Sequence, residues 1–123
     1  MMLGVSQLPQ LEQDAIAALL CGEGVPRELV EQAKRIESVI RDASSSGVYV
    51  DFVLMNDTAP LEGLRNFHIA DLSAATGDSK DLEFMLYVRE GFIACLEVYS
   101  IYDVLPPYQS VVGEFHGAPK VYE

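Results

Sequence analysis

The chain has 123 residues, half of them hydrophobic, with 19 acidic and 8 basic side chains and a formal charge of −11. That length fits one domain, which can bury about two-thirds of its unfolded surface and so needs neither a disulfide nor a metal to fold. The acidic balance argues against nucleic acid as a partner, because phosphate binding takes clustered Lys and Arg, and against an anionic membrane surface for the same reason.

No Lys or Arg precedes Arg27, and Glu12 and Asp14 interrupt the first apolar run. A secretory signal needs the opposite arrangement. Ala18-Leu19-Leu20-Cys21-Gly22 imitates a lipoprotein cleavage site but lacks the positive segment before it. No apolar stretch reaches the ~20 residues of a membrane span. The expectation is a soluble, cytoplasmic protein with Cys21 and Cys95 reduced. There is no Cys-x-x-Cys pair, so zinc-ribbon and thioredoxin-type chemistry have no support.

Residues 8–21 predict an amphipathic helix. Leu8, Leu11, Ala15, Ile16, Leu19 and Leu20 recur at three- and four-residue spacing, while Gln10, Glu12, Gln13 and Asp14 are placed on the polar side. Pro9 suits the first turn, and Gly22 and Gly24 suit the end. A second helix is predicted over 26–43, opened by Pro26 and ended by Ser44-Ser45-Ser46-Gly47. Its stripe is Leu29, Val30, Ala33, Ile36, Val39 and Ile40, and Glu31/Arg35 and Glu37/Arg41 are spaced as i,i+4 pairs.

The hydrophobic period then changes from 3.6 to 2. Val48, Val50, Phe52 and Leu54 alternate with Tyr49, Asp51, Val53 and Met55, which predicts a strand. A loop follows to Gly63, then a weaker strand over 67–72 and a polar loop over 74–81. The strongest strands are 82–88 and 92–101, joined at Arg89-Glu90-Gly91. Pro106-Pro107 ends the sheet, which spans about 47–103. The tail 104–123 reads as irregular, with Val111-Val112 as short edge pairing.

Register decides what the hairpin at 82–101 displays. A two-residue loop pairs Arg89 with Phe92 and sets Glu97 opposite Phe84, inside an apolar face. A three-residue loop, with Gly91 left-handed, pairs Val88 with Phe92 and gathers Leu82, Phe84, Leu86, Val88, Phe92, Ala94, Leu96 and Val98 on one face. The clean apolar set favours the second. It also sets Glu83 opposite Glu97, either as a carboxylate pair sharing a proton or as charges splayed on a solvated face. The predicted architecture is α+β, with two N-terminal helices packed on one face of a four-stranded antiparallel sheet.

The other face would then carry Tyr49, Asp51, Glu83, Tyr87, Glu97 and Tyr99, with Tyr102 and Asp103 continuing it into a tyrosine-rich rim before the prolines. Tyrosine offers apolar area with one polar handle and is enriched in interfaces. These residues are the candidate ligand or partner face. No catalytic residue, metal site or cofactor is expected: His68 and His116 are the only histidines, and no Gly-x-Ser-x-Gly elbow or glycine-rich phosphate loop is present.

The stretch Phe84-Met85-Leu86-Tyr87-Val88-Arg89-Glu90-Gly91-Phe92-Ile93-Ala94-Cys95-Leu96-Glu97, followed by Tyr99, Tyr102 and Asp103, resembles a group of small bacterial proteins without an assigned biochemical role, built from two helices and a β-meander. The resemblance covers about a third of the chain. It implies an α+β architecture and a bacterial origin, and it transfers no catalytic residue.

Charge placement orders the functional readings. Residues 43–123 hold twelve acids and four bases, a net of −8, residues 27–42 net zero, and residues 1–26 contribute −3. The first reading is a non-enzymatic inhibitor or immunity-type module that masks a basic protein such as a nuclease toxin. The second is a small-molecule binder or minor enzyme using the tyrosine–carboxylate face. The third is a homodimer through that face.

Overall fold

The computed structural model describes residues 1–78, 80–102 and 104–123. Its elements in chain order are strand β1 (Met2–Leu3), helices α1 (Gln10–Leu20) and α2 (Glu28–Ala33), and strands β2 (Ile36–Ala43), β3 (Gly47–Leu54), β4 (Phe67–Thr76), β5 (Leu82–Arg89), β6 (Phe92–Tyr99), β7 (Val111–His116) and β8 (Lys120–Tyr122). The fold is α+β with an antiparallel sheet, but the sheet has eight strands rather than four. Its lateral order is β1-β2-β3-β6-β5-β4-β7, with β8 also paired to β4.

Three sources supply the extra strands. The largest correction concerns the second helix. It stops at Ala33, and Ile36–Ala43 is a strand pairing with β3 from Ile36↔Leu54 to Ala43↔Val48. Ile36, Val39 and Ile40 are β-branched, stiff in a helix and well suited to a pleated surface. The expected i,i+4 pairs do not form: Arg35 binds Asp57 and Arg41 binds Glu12. At the N-terminus, β1 pairs with Val39 and Ile40. At the other end, residues 111–122 are ordered strands, not an irregular tail. Both β7 and β8 pair with β4, on either side of a bulge at Asp71, whose φ is 71°. Gly117 (φ 101°) sits in the turn between them against the Asp71 carbonyl, where a Cβ would collide. The strand β4 accordingly extends to Thr76, into the start of the stretch 74–81 expected to be a polar loop.

The hairpin β5–β6 does not form the favoured three-residue loop, which would pair Val88 with Phe92, and beyond its turn it follows neither register considered for it. Arg89 pairs with Phe92 across a two-residue turn, with Glu90 at φ 50° and Gly91 at φ 83°. That is the doubly left-handed turn that matches strand twist. A bulge at Ala94 then shifts the pairing to Tyr87↔Cys95, Leu86↔Leu96, Phe84↔Val98 and Glu83↔Tyr99. Glu83 therefore does not face Glu97. Ile93 enters the core, while Phe92 and Ala94 are only half-buried.

The bulge is held from a distance. The buried Gln32 of α2 donates to the carbonyls of Gly91 (2.8 Å) and Ala59 (3.1 Å), and its Oε1 accepts from the N–H of Ile93 (2.8 Å). One amide side chain thus supplies the partner of the Ile93 N–H at the bulge and joins the Leu61 N–H in donating to the Gly91 carbonyl.

One side of the sheet is the core side. Val48 and Val50 of β3, Ile69 and Leu72 of β4, Leu82, Phe84, Leu86 and Val88 of β5, and Ile93, Leu96 and Val98 of β6 are buried in one cluster. Ala15, Ile16, Leu19 and Leu20 of α1 and Leu29 of α2 belong to the same cluster. Glu12 is also fully buried, not on the polar side of α1. It lies four residues before Ile16 and shares the stripe. Its carboxylate accepts Arg41 Nε (2.9 Å) and Nη2 (2.6 Å) and the Tyr108 hydroxyl (2.7 Å). This triad ties α1, β2 and the segment after Pro107 together. Among the described residues no helix is long and apolar enough to cross a membrane.

Candidate functional site

Side chains alternate along each strand, so the register determines which residues share the second face. Three rows cross it. The first runs Asp42, Tyr49, Glu97, Met85, from β2 to β5. The second runs Ile40, Asp51, Cys95, Tyr87, His68, Tyr122, from β2 to β8. The third runs Tyr99, Glu83, Ser73, His116, from β6 to β7. Six of the eight candidate residues, Tyr49, Asp51, Glu83, Tyr87, Glu97 and Tyr99, therefore lie together on this face. Tyr102 lies beyond the end of β6, exposed, with Lys80 Nζ 6.0 Å from its ring centroid. Asp103 lies outside the described residues.

At the centre, half-buried Glu97 is gripped from two sides. Tyr49 donates to Oε2 at 3.0 Å and Tyr87 donates to Oε1 at 2.7 Å. Tyr49 lies directly opposite Glu97, and Tyr87 is its diagonal neighbour, which is where cross-strand side chains meet. The bond to Glu97 raises the Tyr49 phenol above its ordinary range. Burial, followed by the bond to Glu97, raises that of Tyr87. Both hydroxyls therefore remain donors at neutral pH. Among the described residues Glu97 makes no ion pair.

Around this clasp the chemistry is aromatic and acidic. The Arg89 guanidinium sits over the Tyr87 ring at 5.0 Å, and His68 stacks on Tyr122 at 5.4 Å. The Tyr122 hydroxyl donates to Asp71. Burial raises the Glu83 carboxyl above the ordinary range, and the nearby charges of Asp81 and Asp71 add to this. Cys95 is buried beside Asp51, and burial pushes its thiol up to about 12, which disfavours the thiolate.

Sequence reasoning missed the part of the face supplied by β4, β7 and β8. His68, Asp71 and Tyr122 reach it only through long-range pairing. The alternation Phe67, Ile69, then Leu72, Ala74, Thr76, broken once at the bulge, was the available signal. Among the described residues no group of three or more His, Cys, Asp or Glu is arranged to hold a metal ion. A cavity of about 710 Å³ lies off this face, between Pro9, Leu11, Arg41, the Ser44-Ser45 turn and the Leu105–Gln109 segment. No protein-family model, curated protein or solved structure matches the chain.

Proposed function

We propose that this chain is a non-enzymatic protein-binding module of the inhibitor or immunity type, which engages a basic partner through the second sheet face and its loops. In this reading the helices back the core face and leave the second face to the partner. The observation that carries it is the Tyr49–Glu97–Tyr87 clasp, a carboxylate bonded from two sides in the middle of the second sheet face. Asp42, Asp51, Asp71 and Glu83 share its face, against Arg89 and Lys120. Such a surface steers a basic partner and fixes its register. The tyrosines add the apolar area that interfaces favour.

A homodimer through this face would set acids against acids. The proposal places the protein in the cytoplasm, where its two thiols stay reduced. Titrating 15N-labelled protein with a basic peptide of mixed Lys and Arg tests the reading. Amide shifts concentrated in β3, β5 and β6 and weakened by salt are expected. An absence of shifts at low ionic strength, or shifts confined to α1 and α2, would overturn it.

A further inference from the structure

We infer that the Tyr49–Glu97–Tyr87 clasp is a subsite for an arginine side chain presented by the partner protein. The inference rests on the protein-binding reading above and specifies the chemistry of its central contact.

The molecule contains a completed version of the same constellation. Glu12 receives a tyrosine hydroxyl from Tyr108 at 2.7 Å, and the Arg41 guanidinium closes on it with Nη2 at 2.6 Å and Nε at 2.9 Å. Glu97 receives two tyrosine hydroxyls and no guanidinium. A carboxylate offers about four acceptor positions, and the tyrosines occupy one on each oxygen. The remaining position on each oxygen suits the two parallel N–H groups of a guanidinium fork.

The flanking rings select the same cation. Tyr87 already carries the Arg89 guanidinium over its face at 5.0 Å, so a phenol ring of this clasp accepts that geometry within the molecule itself. Tyr49 is 49% exposed and offers the second ring. A guanidinium stacks on an aromatic plane while bonding a carboxylate edge-on, whereas an ammonium is a compact, strongly hydrated point charge. Asp51 and Glu83 supply attraction that any cation would feel, but neither is held between tyrosine hydroxyls. The net charge of −11 matches a basic partner and disfavours a second copy of this chain on the face.

The test compares two synthetic peptides of equal length and charge, one alternating Arg with Gly and one alternating Lys with Gly, by calorimetric titration at low salt. The Arg peptide is expected to bind at least about fivefold more tightly. Glu97→Gln, and separately the double variant Tyr49→Phe/Tyr87→Phe, should abolish that preference while leaving the weaker Lys binding within about twofold. Equal affinities, with both peptides depending on Asp51 and Glu83, would overturn the arginine subsite while leaving the acidic-face reading standing. Failure of both peptides to bind would overturn that reading as well. Sedimentation equilibrium supplies the remaining outcome: a dimer that Glu97→Gln converts to monomer would overturn the subsite by giving the clasp to a second copy.

Discussion

Glu12 and Glu97 are the same residue in two unlike settings. Both are bonded by tyrosine hydroxyls, both sit on regular elements, and both are held in one geometry. Glu12 is fully buried and neutralised by Arg41, whose own side chain is 23% exposed. Glu97 is half-buried with no cation of its own among the described residues. A charge taken out of water persists only when it is paired and bonded. A charge held at the surface with spare acceptor positions is available to something else. On this comparison the first carboxylate belongs to the fold, and the second is the one we propose for binding.

The largest effects are expected at the buried carboxylate. Glu12→Gln leaves the Arg41 guanidinium partly buried without its anion, and should cost about 3 kcal/mol in urea unfolding, the lower end of the range for a broken buried pair because Arg41 retains some water. Tyr108→Phe removes only the third member and should cost about 1 kcal/mol. A loss below 0.5 kcal/mol for Glu12→Gln, by order of magnitude, would place Glu12 in the same class as a surface acid. Next, Gln32→Leu keeps the side-chain volume but orphans the Ile93 N–H and takes one of its two donors from the Gly91 carbonyl. It should cost about 2 kcal/mol and raise hydrogen exchange at Ile93 ahead of the rest of β6.

The smaller effects fall on the binding side. Burial raises the Glu83 carboxyl, so the folded protein holds that proton more tightly than the unfolded chain does. The resulting penalty is present at neutral pH, where the group is ionised in both states. It fades as pH falls through the folded titration and is gone below the ordinary carboxylate range, about pH 4. Glu83→Gln should therefore stabilise the protein at pH 7 by about 0.5 kcal/mol, with the gain absent at pH 3. A gain that persists at pH 3 would show that the penalty does not come from ionisation.

The candidate face was legible in the sequence where local alternation sufficed. Tyr49 and Asp51 alternate with Val48 and Val50, and Glu83, Tyr87, Glu97 and Tyr99 alternate with the apolar residues of the two longest strand patterns. Pairing among β3, β6 and β5 then brought them together. What could not be read was decided by distant partners. Gln32 stabilises the bulge at Ala94, and no local rule in the hairpin announces a glutamine 61 residues away. The stripe Ile36, Val39, Ile40 fits either a helix or a strand, and a strand resulted because β3 offers a ladder of backbone partners. Residues 111–122 are strands because β4 presents an edge on both sides of its bulge, which short segments cannot reveal alone. Glu12 sat in plain view at helical spacing from Ile16, but its burial depends on Arg41 and Tyr108, 29 and 96 residues away.

The most direct test of the division between the two carboxylates is one variant measured two ways. Glu97→Gln should lose less than about 1 kcal/mol of stability, since one tyrosine keeps the amide oxygen as acceptor and the other hydroxyl can turn to accept from the amide NH2, yet lose the preference for the Arg–Gly peptide and with it most of the affinity. A Glu97→Gln protein that binds the Arg–Gly peptide as tightly as the unaltered chain, or one that unfolds as readily as Glu12→Gln, would contradict the assignment of this face to a partner.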